Sequence, residues 1–219
     1  MTTFAVLFDM DGVLVDSASL HERAYEQVFC DVGLDFSDAA RDAVRSGKAR
    51  AHVLEVALPG AKPDLKKTLS DAKPEALKAL LAERSDCSIS GATDAVRALA
   101  EANIPMAVVT NSRSPEIWIK KLGISEQIRV VIGGDDVSSP KPSAEGYLLG
   151  AERLGVAPAR CLAIEDSHDG WSAARRAGMS VAIVAEARPS WLDAKTETMN
   201  CLDAARILRL LEVSSATRR

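Results

Sequence analysis

Apolar residues in this chain fall into short runs separated by polar turns. Phe4–Phe8, Pro105–Val109, Val130–Ile132, Cys161–Ile164 and Val181–Val184 show neither the alternation of a half-exposed strand nor the length of a helix. Runs of this kind fit strands covered on both faces, as in a parallel sheet. Helical spacing over Thr93–Ala102, Glu116–Leu122, Ala144–Leu154 and Trp171–Ala177 fills the intervals, with Gly123 and Gly178 as stops. A last helix is predicted over Leu202–Leu211, followed by a frayed tail at Ser214–Arg219. Strands alternating with helices predict an α/β fold, a doubly wound (Rossmann-like) parallel sheet.

One stretch breaks that rhythm. Ser19-Leu20-His21-Glu22 has the form of a capping box, and Leu20, Ala24, Val28 and Val32 then recur at helical spacing until Gly33. Helical patterns continue over Asp38–Ser46, Ala49–Leu58 and Leu65–Ala72, and Pro74 is read as opening a further helix that carries Leu77, Leu80 and Leu81. No strand is predicted between Ser17 and about Asp86. Because the first strand has no neighbour of its own, it must join the later sheet. The expected organisation is therefore a discontinuous α/β core of residues 1–16 and 87–219, with a small helical unit of residues 17–86 inserted after the first strand.

Composition narrows the function. With 219 residues, 47% of them hydrophobic, the chain can bury a sizeable core. A net charge of -4 gives no basic footprint for nucleic acid, and 4% aromatic residues give no base-stacking platform. No apolar run approaches the ~20 residues that span a bilayer, and the first residues lack a secretory pattern. Cys30, Cys87, Cys161 and Cys201 are too scattered for a zinc site or a disulfide framework. The expectation is a cytoplasmic protein with reduced thiols, a monomer or small homo-oligomer, with no membrane or nucleic-acid partner.

The polar residues that follow the buried runs carry the chemistry. Asp9, Asp11 and Gly12 follow the first; Thr110, Asn111 and Ser112 the second; Gly133–Asp136 and then Ser139–Pro142 the third; Glu165, Asp166 and Ser167 the fourth. In a parallel sheet all four clusters emerge along one edge, where such folds bind ligands. Asp9 and Asp11 are like charges two residues apart, costly unless a cation intervenes or one is protonated. Taken alone, Asp-x-Asp-Gly also fits an ordinary turn, and it is the other three clusters that favour a site. This inventory suits phosphoryl transfer. Asp9 and Asp166, with Glu165, offer hard oxygen ligands for Mg²⁺. A carboxylate at the metal can attack phosphorus and form an aspartyl-phosphate. Lys141 can neutralise charge, Thr110 and Asn111 can hold the transferring oxygens, and Asp11 suits a general acid and base.

Phe8–Val13, Val109-Thr110-Asn111, Ser139–Pro142 and Ile164–Ser167, in that order, resemble the four motifs of the haloacid dehalogenase (HAD)-like hydrolase superfamily. The helical insert resembles the small cap of its subfamily that includes β-phosphoglucomutase and sugar-phosphate phosphatases. The resemblance implies Asp9 as nucleophile, Asp11 as acid/base, and Thr110 and Lys141 as phosphate binders, with Asn111 and Ser112 on the substrate side. It implies metal coordination by Asp9, Asp166, Glu165 and the Asp11 main-chain carbonyl. In the cap it implies substrate-side roles for His21 and Arg50. Lys73 and Lys78 are read as solvated, and Trp118, Trp171 and Trp191 as packing residues. The favoured reading is a Mg²⁺-dependent phosphomonoester hydrolase that acts on a small phosphorylated metabolite, expected to be a sugar phosphate, through an aspartyl-phosphate. The alternatives are a phosphomutase, a metal-independent dehalogenase, which needs neither Asp11 nor the acidic pair, and a non-catalytic phospho-receiver. A second cap cation for holding a bisphosphate is not apparent in the sequence, which favours hydrolysis over the mutase.

Overall fold

The computed structural model describes residues 4–83 and 87–216. The chain divides into two compact units, Met1–Val15 with Ser88–Arg219, and Asp16–Cys87. The predicted boundary at Asp86 lies outside the described residues.

The first unit is built on a sheet of six strands. These are β1 (Ala5–Phe8), β2 (Met106–Val109), β3 (Val130–Ile132), β4 (Cys161–Glu165), β5 (Ser180–Val184) and β6 (Glu197–Met199). Their order is β3-β2-β1-β4-β5-β6, and all pairings are parallel. β1 is central, pairing Phe8 with Val108 on one side and Ile164 on the other, and all four of its residues are buried. One step further on, Asp9 comes level with Glu165, its N–H donating to the Ile164 carbonyl at 2.9 Å. The helices are α5 (Ala92–Glu101), α6 (Pro115–Leu122), α7 (Glu145–Leu154), α8 (His168–Arg176) and α9 (Ala204–Ala216). One apolar core joins Leu7, Ala107, Ile132 and Ala163 of the sheet to Tyr147 and Ala151 of α7 and Ala173 and Ala174 of α8.

The predicted strands and helices of this unit are present, with differences at the ends and edge. β6 was not anticipated: Glu197-Thr198-Met199 is a three-residue edge strand with an exposed first residue, too short and mixed to read as an apolar run. α8 starts at His168, earlier than the predicted Trp171, because the Ser167 side chain accepts from the Gly170 N–H at 3.1 Å and caps the helix there. α9 continues to Ala216, so residues 214–216 of the expected frayed tail are helical, whereas residues 217–219 lie outside the described residues.

The second unit consists of α1 (Ala18–Cys30), α2 (Asp38–Arg45), α3 (Arg50–Ala57) and α4 (Pro63–Glu83), with no strand among its described residues. Its core gathers Tyr25, Val28, Phe29, Phe36, Ala40, Val53, Leu54 and Leu69. Two expectations are corrected. α1 begins at Ala18 with Ser17 at the cap position and no side-chain cap, so Ser19 lies inside the helix and the capping box does not form. α4 runs unbroken through Pro74 instead of restarting there. Leu69 before the proline and Leu77 and Leu81 after it are buried on one stripe, and this shared apolar face holds the two halves in one helix.

Candidate active site

The four clusters meet at the C-terminal edge of the sheet. Asp9, at the end of β1, is 7% exposed, and Glu165, at the end of β4, is fully buried. The Lys141 ammonium donates to Asp9 Oδ1 and to Glu165 Oε1, both at 2.5 Å, and stands 5.1 Å from the centre of the Tyr147 ring. Asp9, Glu165 and Asp166 each bring an oxygen within 4.8 Å of the others. Two glycines make this convergence possible. Gly12 has a positive φ of 85°, and a Cβ there would strike the Asp166 carboxylate. A Cβ at Gly170 would strike the Glu165 carboxylate.

Glu165 is held at both oxygens. Tyr147 donates its hydroxyl to Oε1 at 2.7 Å, beside Lys141, while the Asp166 N–H and the Ser167 hydroxyl donate to Oε2 at 3.2 and 3.3 Å. Asp11 accepts at 3.3 Å from the hydroxyl of Thr110, the residue that follows β2. Thr110 Oγ1 in turn accepts from the Ser112 N–H at 3.0 Å. Asn111 Oδ1 accepts from the Lys141 N–H at 3.0 Å, which ties the β2 loop to the segment that delivers the lysine. Ser112 Oγ accepts from the Ser114 N–H at 3.3 Å, inside its own turn.

Charge is unbalanced in this cluster. Burial raises the Asp9 carboxyl well above the usual carboxylate range; Lys141 opposes the rise, and Glu165, Asp166 and Asp11 add to it. Asp166 is pushed up to about 7 by burial and then by Glu165. Burial favours the neutral Lys141 amine, but Asp9 and Glu165 outweigh it and hold the ammonium more firmly than in water. A single lysine does not neutralise three converging carboxylates. The donor set is all oxygen and carries excess negative charge, which fits a small hard divalent cation.

A family model for haloacid dehalogenase-like hydrolases matches residues 5–178. The chain belongs to that family. Fructose-1-phosphate phosphatase YqaB of Escherichia coli is 31% identical over 177 residues, covering 80% of this chain and 92% of that one. The structure of a CbbY variant from Rhodobacter sphaeroides with xylulose-(1,5)bisphosphate superimposes with a TM-score of 0.79 at 27% identity, over 91% of this chain and 95% of that one. A β-phosphoglucomutase from Clostridium difficile shares the fold, with a TM-score of 0.83 at 22% identity over 98% and 100% of the two chains.

In this hydrolase the sequence-predicted core residues Asp9, Asp11, Thr110, Asn111, Lys141, Glu165 and Asp166 are linked by the contacts above. His21 and Arg50 belong to the helical unit. The reading of Lys73 as solvated is wrong: it is 4% exposed, with Nζ 2.5 Å from His21 Nδ1 and 5.3 Å from the Tyr25 ring centre. Lys78 is half-exposed and pairs with Glu75 at 2.6 Å. The signal for Lys73 was present in the spacing. Leu69, Lys73, Leu77 and Leu81 follow one another at intervals of four, so the lysine occupies a leucine's place in an apolar stripe. Splitting the helix at Pro74 hid that stripe. Tyr147 was also missed, because one tyrosine in a predicted core helix gives no sign that its hydroxyl meets a carboxylate.

Proposed function

We propose that this hydrolase is a Mg²⁺-dependent phosphatase of a small phosphorylated metabolite, a sugar phosphate, acting through an aspartyl-phosphate on Asp9. The observation that carries the reading is the Lys141 ammonium shared between Asp9 and Glu165 beside Asp166, with Asp11 on Thr110 nearby. The sugar-phosphate activity named for the similar Escherichia coli enzyme and the sugar bisphosphate bound by CbbY support the substrate class.

In this reading an Asp9 carboxylate oxygen attacks phosphorus, and the bond from phosphorus to the ester oxygen breaks. Asp11 gives its proton to the departing oxygen, then takes one from the water that attacks the aspartyl-phosphate and releases phosphate and Asp9. Lys141 offsets charge on Asp9 and on the transferring oxygens throughout. The Thr110 hydroxyl, which serves Asp11 in this structure, turns to a phosphoryl oxygen, beside Asn111 and Ser112. Asp9, Asp166 and the Asp11 main-chain carbonyl would hold magnesium, which would supply positive charge to offset that of the phosphoryl oxygens. Glu165 has donors at both oxygens and serves chiefly to brace Lys141. In the helical unit, His21 and Arg50 recognise the substrate's remaining groups.

The test is phosphate release from a panel of sugar phosphates, sugar acid phosphates and nucleotides, with Mg²⁺ and with EDTA. Release should need Mg²⁺ and should vanish in Asp9→Asn; full activity of that variant would overturn the nucleophile assignment. A second reading, phosphoryl return to a sugar as in a phosphomutase, is favoured by Lys73, a buried cation of the helical unit. A sugar bisphosphate primer with its monophosphate separates the two: isomerisation without net phosphate release supports the mutase.

A further inference from the structure

We infer that Pro74 is a positioning residue for Arg50, acting through the main-chain carbonyl of Ser70. In an α-helix the N–H of residue 74 would donate to the carbonyl of residue 70. Proline has no N–H, so α4 passes through Pro74 with that bond missing. Ser70 is 9% exposed, and a buried carbonyl requires a donor. Arg50, the first residue of α3, supplies it, its Nη1 donating to Ser70 O at 2.9 Å. The guanidinium is thereby fixed near Tyr25, on which its charge acts.

The same turn of α4 carries the buried Lys73, so the two polar residues that interrupt the apolar stripe, Ser70 and Lys73, both lie within one turn of the proline. A helix interior selects against proline, and here its presence exchanges a helix hydrogen bond for an anchored arginine. The functional part of the inference rests on the proposed role of Arg50 in recognition; the anchoring part does not.

Pro74→Ala restores an N–H that competes for Ser70 O. Phenylglyoxal modification of Arg50, followed by peptide mass spectrometry, should speed up by about fivefold, the equivalent of one ordinary hydrogen bond. Arg41 and Arg45, both paired with Glu22, serve as references in the same digest and should not change. The thermal midpoint should hold or rise, since alanine suits a helix better. Pro74→Ser, which restores the same N–H, should behave alike. An unchanged Arg50 rate in both variants overturns the inference whether or not the protein is a phosphatase.

With a sugar phosphate from the panel, Pro74→Ala should raise KM about fivefold and leave kcat in place. It should not alter KM for p-nitrophenyl phosphate, and should add nothing in an Arg50→Ala background. Faster labelling with an unchanged KM would leave the anchor standing and remove Arg50 from recognition.

Discussion

Asp166 ties the chemistry of this site to its stability. Its carboxyl is pushed up to about 7 in the folded protein, mainly by burial, against about 3.9 in an unfolded chain. Between those values the folded state holds a proton that the unfolded state has lost. The stability linked to this group is therefore complete below pH 4 and declines as pH rises to about 7. Asp9 acts in the same direction. With EDTA present, thermal melts should show wild type losing stability over that interval relative to Asp166→Asn. Added Mg²⁺ should raise the midpoint little at pH 5 and much more at pH 8. Gly12 offers a second check: Gly12→Ala places a Cβ against the Asp166 carboxylate at a φ of 85°, so Mg²⁺ affinity measured by calorimetry should fall by at least about tenfold. At this scale the sequence was informative wherever a residue type is rare in its setting. Carboxylates and one lysine immediately after apolar runs stood out, and Lys141 indeed meets Asp9 and Glu165. Lys73 and Tyr147 did not stand out: a helix divided at Pro74 conceals the stripe that buries the lysine, and a tyrosine in a core helix gives no sign of the carboxylate its hydroxyl meets.

Among the elements, α8 does two things at its first turn. Ser167 caps the helix through the Gly170 N–H, and the same hydroxyl donates to Glu165. Ser167→Ala should cost about 1 kcal/mol in chemical denaturation through the lost cap. It should also lower turnover by loosening the carboxylate that braces Lys141, whereas Ser167→Thr should retain most of both. Five strands were legible because each carries an unbroken apolar run, the edge strand β3 included, whereas β6 at the other edge begins with Glu197 and Thr198 and leaves no such signature. Helix starts were less legible than helix stops. Gly123 and Gly178 follow α6 and α8 closely at the positive φ expected of a glycine stop, but α8 starts where Ser167 caps it and α1 starts with no side-chain cap to mark it.

Across the whole molecule, the discontinuous core was readable from one simple fact. A single apolar strand, followed by some seventy residues without another, must seek its partners further along the chain. The Mg²⁺ site proposed above lies in the first unit, which leads to a distinct expectation for each unit. Hydrogen exchange with and without Mg²⁺ should slow at Phe8, Asp9 and Ile164 through Asp166, because a ligand stabilises only the unit that binds it. The helical core around Phe29, Val53 and Leu69 should exchange at the same rate in both conditions.

Lys141 also bears on how the chain matures. Three carboxylates gathered in one buried place would resist collapse in a nascent chain that has not yet met a cation. The lysine travels with the chain, more than a hundred residues behind Asp9, and arrives as a built-in counter-ion when the sheet closes. The hydrolase can thus fold without a cation, and the proposed Mg²⁺ can bind afterwards, whatever the free magnesium level during synthesis. Lys141→Ala should reverse that order: its refolding yield from urea should depend on Mg²⁺ in the refolding buffer, whereas the wild-type yield should not.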